Sequence, residues 1–128
     1  MKWRKKIPCL KAHLHQAKEE AVAVLRSWGL PDEELFECEL ILCELMANGA
    51  EYGNQWREDS CIAVQIRYYP HQGKLLLLVR DEGNQPITKK NLAELEELYP
   101  RGRGLHLVES MSSRLTLGRG RVWVRKVL

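Results

Sequence analysis

The segment KLLLLVRDEGNQP, residues 74 to 86, does most to restrict what this chain can fold into. Leu75 to Val79 form a continuous apolar run that reads as a buried strand, and the run stops at an acidic residue and a glycine. Asp81 therefore stands at the end of a strand. A carboxylate fixed there can accept a hydrogen bond from an exocyclic amine such as that of adenine, and Gly83 has no side chain to block a base. Asp and Gly after a strand are also ordinary turn residues, so this feature needs company before it speaks of a ligand.

The company comes first from LILCELMANGAEYGN. Residues 37 to 53 hold few helix breakers before Gly49 and Gly53, and Leu35, Cys38, Leu42, Leu45 and Met46 recur at helical spacing, so one face should sit on a core. Glu37, Ile41, Glu44, Asn48 and Glu51 lie beside that stripe, where a polar residue must be partnered or functional. Glu44 and Asn48, one turn apart, present a carboxylate and a neutral amide oxygen on one side. Asn is a poor helix former whose carbonyl suits a hard cation such as magnesium. Taken alone, such a pair is a surface pair in most helices.

A third motif is YPRGRGLHLVESM, where Gly102 and Gly104 precede Leu105, Leu107, Val108 and Met111, a pattern that can open a helix. Helix N-termini offer unpaired amides and a positive dipole end, and glycines let an anion approach. Arg101 and Arg103 add positive charge. No third glycine follows and no strand immediately precedes, so this is not a Rossmann fingerprint, and the chain has no P-loop motif.

Around these motifs the chain reads as α+β. A short N-terminal strand precedes a helix from about Leu10 to Trp28, ended by Gly29, and Pro31 with Asp32 starts the motif helix near its N1 position. The loop Asn54 to Ser60 leads to strand Cys61 to Tyr69, which turns through His71, Gln72 and Gly73 into strand Lys74 to Arg80. Asn84 to Arg103 is polar, with a short helical piece around Asn91 to Leu98, and would act as a lid. Leu105 to Met111 is a third helix, and Arg114 to Leu117 pairs with Val122 to Leu128 through the GRG turn. The expected architecture is a two-layer sandwich, a mixed, mainly antiparallel sheet with about three helices on one face.

The order and spacing of the three motifs resemble the N, G1 and G2 boxes of the GHKL ATPase superfamily, which includes gyrase and the histidine kinases. The resemblance runs from about Pro31 to the C-terminus and is nearest to the small anti-sigma-factor serine/threonine kinases. It implies a single histidine-kinase-like ATPase domain over residues 1–128 with the Bergerat ATP-binding fold, and ATP and Mg2+ as cofactors. Asn48 is similar to the magnesium-binding Asn, and Glu44 to the general base four residues before it. Asp81 resembles the Asp that recognises the adenine amino group, supported by Gly83. Gly102, Arg103, Gly104 and Leu105 correspond to the loop and helix start that close over the phosphates. The implied activity is phosphorylation of a small anti-anti-sigma (STAS-type) partner, with binding of a sigma factor and a homodimeric state. The alternatives are a nucleotide-binding regulatory module without catalysis and a switch kinase of a stress-signalling complex. Three positions depart from the family pattern: Gln85 replaces the second glycine of DxGxG, Tyr52 stands where many relatives have His, and Arg121 falls near the place of a Thr beside the adenine.

Composition fits this reading. The 128 residues, 45% hydrophobic, can bury one core with little room for a second domain. A complete histidine kinase is excluded, since the helical hairpin bearing a phosphoacceptor His is missing; His13 and His15 read as surface or capping residues. The net charge of +3 hides an asymmetry: residues 31 to 59 hold nine acids against one base, whereas residues 101 to 126 hold seven bases against one acid. The basic end could receive triphosphate or an acidic partner, and no aromatic stacking pattern favours nucleic acid. Cys9, Cys38, Cys43 and Cys61 show no metal spacing and read as free thiols. With no apolar h-region and no stretch approaching the roughly 18 residues of a membrane span, the expected location is cytoplasmic.

Overall fold

The computed structural model describes residues 1–83 and 104–128. In chain order these form β1 (Lys2–Pro8), α1 (Lys11–Ser27), α2 (Asp32–Asn48), β2 (Cys61–Tyr69), β3 (Lys74–Arg80), α3 (Gly104–Met111), β4 (Arg114–Gly118) and β5 (Arg121–Val127). The lid of 84–103, with its expected helical piece, lies outside the described residues.

Each boundary has a local cause. Gly29, at φ +90°, takes the left-handed conformation that stops α1 after Trp28. Pro31 is the extended N-cap of α2, one position earlier than the expected N1, and Asp32, Glu33 and Glu34 fill the first turn, where carboxylates complement the helix dipole. The β2–β3 connection closes through a tight turn at Pro70–Gln72 and Gly73 at φ +57°. The β4–β5 hairpin turns through Arg119 and Gly120, the glycine at φ +60°.

The strands form one sheet in the order β1-β2-β3-β5-β4, and every neighbouring pair is antiparallel. The expected α+β two-layer arrangement with a mainly antiparallel sheet is borne out, and no parallel pair occurs among the described strands. The crossover through α3 does make β4 run parallel to β3, but β5 inserts between them and pairs antiparallel with both.

One core joins the sheet to the helices. Ala17, Ala21 and Leu25 of α1 and Leu35, Cys38, Leu42, Leu45 and Met46 of α2 meet Ile62, Val64, Ile66, Leu75, Leu77, Val79, Val122 and Val124. Most of these are under 5% exposed, and each large aliphatic side chain so buried contributes about 1.5–3 kcal/mol. The central strand departs from its sequence reading in one respect. Leu75, Leu77 and Val79 are buried under the helices, but Leu76 and Leu78 stay half-buried on the other face, which no described helix covers.

Candidate functional site: a nucleotide site at the end of the central strand

The C-terminal end of α2 does not stop at Asn48. It widens into a π-type turn, Gly49–Gly53, a rare geometry found often at functional sites. The turn closes with the Asn54 amide donating to the Gly49 carbonyl at 2.9 Å. Its two glycines explain why α2 can lie so near the end of β3. A Cβ on Gly49 would stand 3.3 Å from Ile62 and 3.4 Å from Val79, and one on Gly53 would overlap the Asp81 carboxylate.

Two more glycines complete the wall around Asp81. A Cβ on Gly83 would run into the Gly53 carbonyl and stand 3.0 Å from Asp81 Oδ1, and one on Gly120 would run into the Gly83 carbonyl. The Asp81 amide donates to the Gly120 carbonyl at 2.8 Å, fixing the β4–β5 turn to the end of β3. Three chain segments thus meet at one carboxylate through bare backbone.

Asp81 is half-buried, and its Oδ1 is shielded from solvent without a hydrogen-bond partner. Burial pushes its pKa above the ordinary carboxylate value, while the nearby Gly83 amide pulls the other way without bonding Oδ1 in good geometry. An orphaned acceptor beside Gly83 and Gly120 fits a donor from outside the chain, an exocyclic amine among them.

Asn48 is the second orphan: its Nδ2 is buried and unpartnered. Among the described residues the third such atom is Glu34 Oε2, which has the Lys126 ammonium 3.2 Å away. Two of the three orphans therefore belong to residues singled out from sequence. Glu44, one turn before Asn48, is half-buried, and its charge helps disfavour the Cys43 thiolate, whose pKa is raised chiefly by burial. No group of three or more His, Cys, Asp or Glu side chains among the described residues forms a metal cage.

The remaining expected site residues divide. Gly102 and Arg103 lie outside the described residues, as does Gln85. Gly104 and Leu105 open α3, which packs on α2. Tyr52 falls within the π-type turn. Arg121 takes the face of the sheet away from the helices, its guanidinium over the Trp123 ring at 5.5 Å.

Sequence reading missed Asn54, which is 1% exposed. Its Nδ2 donates to the Cys61 carbonyl at 2.8 Å and to Cys9 Sγ at 3.1 Å, and its Oδ1 accepts from the Glu82 amide at 2.7 Å. Glu82 Oε2 in turn accepts from the Cys61 amide at 2.8 Å. Asn54 so ties the start of β2 to the residue that follows Asp81. An Asn after a glycine at a helix end looks like any turn residue, and no sequence signal set it apart.

A helix-backed antiparallel sheet with an orphaned carboxylate in a glycine wall at the end of its central strand defines an α+β protein with a candidate acceptor site. The chain matches the model of the histidine kinase-like ATPase domain over residues 7–126, and it belongs to that family. Membership implies ATP binding. No curated protein matches the chain. No described helix is long and apolar enough to cross a membrane.

Proposed function

We propose that this chain is a magnesium-dependent serine/threonine protein kinase that phosphorylates a small anti-anti-sigma (STAS-type) partner and binds a sigma factor as a linked activity. The observation that carries the nucleotide half of this reading is the unpartnered Asp81 Oδ1 within the wall of Gly49, Gly53, Gly83 and Gly120. Asp81 accepts from the adenine amine, and the glycines let the surrounding backbone close around that carboxylate. Asn48 would hold a magnesium ion through its carbonyl oxygen, a donor that suits this hard cation, and the ion would supply positive charge against the phosphates. Gly102, Arg103, Gly104 and Leu105 would bind the phosphates, the role their correspondence to the family's phosphate motif implies. Glu44 orients or deprotonates the acceptor hydroxyl, a positioning role suited to phosphoryl transfer, where the protein supplies alignment and charge more than covalent chemistry.

Calorimetry of ATP binding with and without magnesium, on wild type, Asn48→Ala and Asp81→Asn, tests the site. Magnesium-dependent binding that Asn48→Ala abolishes supports it, and absence of binding by folded protein at millimolar ATP overturns it. Phosphotransfer to a STAS-type substrate, lost in Glu44→Ala while ATP binding persists, tests the kinase step. Retained phosphotransfer in that variant would remove Glu44 from the role.

A further inference from the structure

The face of the sheet opposite the helices carries a charge pattern that nothing in the nucleotide site uses. Across the five strands its side chains fall into rows set by the pairing register. One row is Lys2, Arg67, Leu76, Arg125 and Arg114, and another is Lys6, Ala63, Arg80, Arg121 and Gly118. Between them runs a row of Arg4, Gln65, Leu78, Trp123 and Thr116. No outward position of any strand is acidic.

Three observations separate this face from an ordinary solvated one. β3 is apolar without alternation, the pattern of a strand covered on both sides, yet among the described residues only one side is covered. Trp123, 37% exposed, and the half-buried Leu78 form an apolar centre, the residue types enriched where proteins meet being Trp and Arg. A hollow of about 400 Å³ opens on this face, lined by Arg4, Lys6, Gln65, Leu78 and Arg80 among others.

The dimensions name the occupant. Leu76 and Arg80 mark the two basic rows on β3, four residues or about 14 Å apart at strand spacing. An α-helix with its side chains is about 10–12 Å across. We infer that this face docks an amphipathic helix of a partner protein, its apolar ridge on Leu78 and Trp123 and its two acidic flanks on the basic rows. A second copy presenting the same face is disfavoured by like charge. Nucleic acid is disfavoured because Trp123 is the one aromatic in the central row, too little for a run of stacked bases. The inference stands independently of the kinase assignment.

The test is fluorescence anisotropy with a labelled helical peptide carrying a leucine ridge between two rows of glutamate, and its lysine-for-glutamate counterpart as control. The glutamate peptide should bind the whole chain and weaken steeply with salt, and the lysine peptide should not bind. Arg67→Glu with Arg125→Glu should weaken binding about tenfold or more, and Trp123→Ala should do so with less change in salt dependence. Calorimetry with ATP should give the same affinity in these variants, confirming that they fold. If the double variant fails to fold, Lys2→Glu with Arg114→Glu reads the same row. The inference is overturned if folded wild type does not bind the glutamate peptide, or if the variants bind it as wild type does. It is also overturned if poly(U) binds this face more tightly than the peptide, or if wild type self-associates in a way that Arg67→Glu with Arg125→Glu abolishes.

Discussion

The Glu82 backbone amide donates to Asn54 Oδ1 at 2.7 Å, tying the chain just beyond α2 to the residue that follows Asp81. The other arm of Asn54 reaches the Cys61 carbonyl, so one buried side chain ties the start of β2 to the residue beyond β3, just past the end of the ladder those strands form. Asn54→Ala should leave the Cys61 carbonyl and the Glu82 amide without their partner and destabilise the protein by roughly 2–6 kcal/mol, at about 1–3 kcal/mol for each group stranded away from water. Urea unfolding measures this. Asn54→Asp keeps the acceptor for Glu82 but loses the donor to Cys61, so it should retain more ATP affinity than the alanine variant. Equal affinities would show that the Glu82 bond does not position Asp81.

Asp81 should destabilise the nucleotide-free fold at neutral pH. Its folded pKa is raised by burial above 3.8, so the folded state holds the proton more tightly than the unfolded state does. Stability therefore falls as pH rises through the window just above 3.8, and the penalty persists at neutral pH. Asp81→Asn should raise the unfolding midpoint at pH 7, and that gain should shrink toward zero near pH 3, where the carboxyl is neutral in both states. The same variant should lose about ten- to a hundredfold in ATP affinity, the worth of a hydrogen bond to a charged acceptor. A variant that lost stability along with affinity would mark Asp81 as a structural residue.

Much of this arrangement was legible because its causes are local. The β2–β3 hairpin ends where its sequence signals end, at Tyr69 and Lys74, and Gly29 stops α1 as a helix-terminating glycine should. Asp81 was placed at a strand end because the apolar run before it admits no other reading. The wholly antiparallel sheet was not legible, since the insertion of β5 between β3 and β4 is decided by long-range pairing. The face taken by Arg121 was not legible for a related reason: which face a strand residue takes depends on register, and register puts Arg121 opposite Arg80, away from the helices. The role of Asn54 and the carbonyl of Gly120 emerge only when distant segments meet.

Lys126 is a second buried linkage, remote from Asp81 in sequence. Burial alone would lower its pKa, but its contacts with Glu37 and Glu34 outweigh this and hold it above 10.5. It also donates to the Met111 carbonyl at 3.2 Å, so it joins β5 to the start of α2 and the end of α3. A raised lysine pKa contributes stability that is fully present below the unfolded value and lost as pH climbs past 10.5 through the folded one. Lys126→Met should cost about 2 kcal/mol at pH 7, below the 3–5 kcal/mol typical of a broken buried pair because Glu37 remains part-exposed. Adding Glu37→Gln and Glu34→Gln should recover part of that loss in thermal unfolding. No recovery would mean the methylenes of Lys126, not its charge, carry the linkage.

The glycines offer the sharpest separation of site from scaffold. Gly53→Ala would drive a methyl into the Asp81 carboxylate, a group held by the Gly120 carbonyl through its own amide, so the side chain or the turn must move. Overpacking of this kind costs about 1–3 kcal/mol, and here the displaced atoms are the proposed adenine acceptor, so ATP affinity should fall more than about tenfold. Gly49→Ala meets Ile62 and Val79 at 3.3 and 3.4 Å, contacts that side chains can relieve by small shifts, and should cost less on both counts. Gly73→Ala supplies the control: its backbone sits at φ +57°, where a Cβ is strained, but its one near neighbour is the Leu128 carbonyl at 3.4 Å. It should lose about 1 kcal/mol of stability with ATP affinity unchanged. Calorimetry and urea unfolding on the three variants should therefore rank them differently, Gly53 first for binding and Gly73 affecting stability alone. If binding and stability instead fell in proportion in all three, the glycine wall would serve the fold and not the nucleotide.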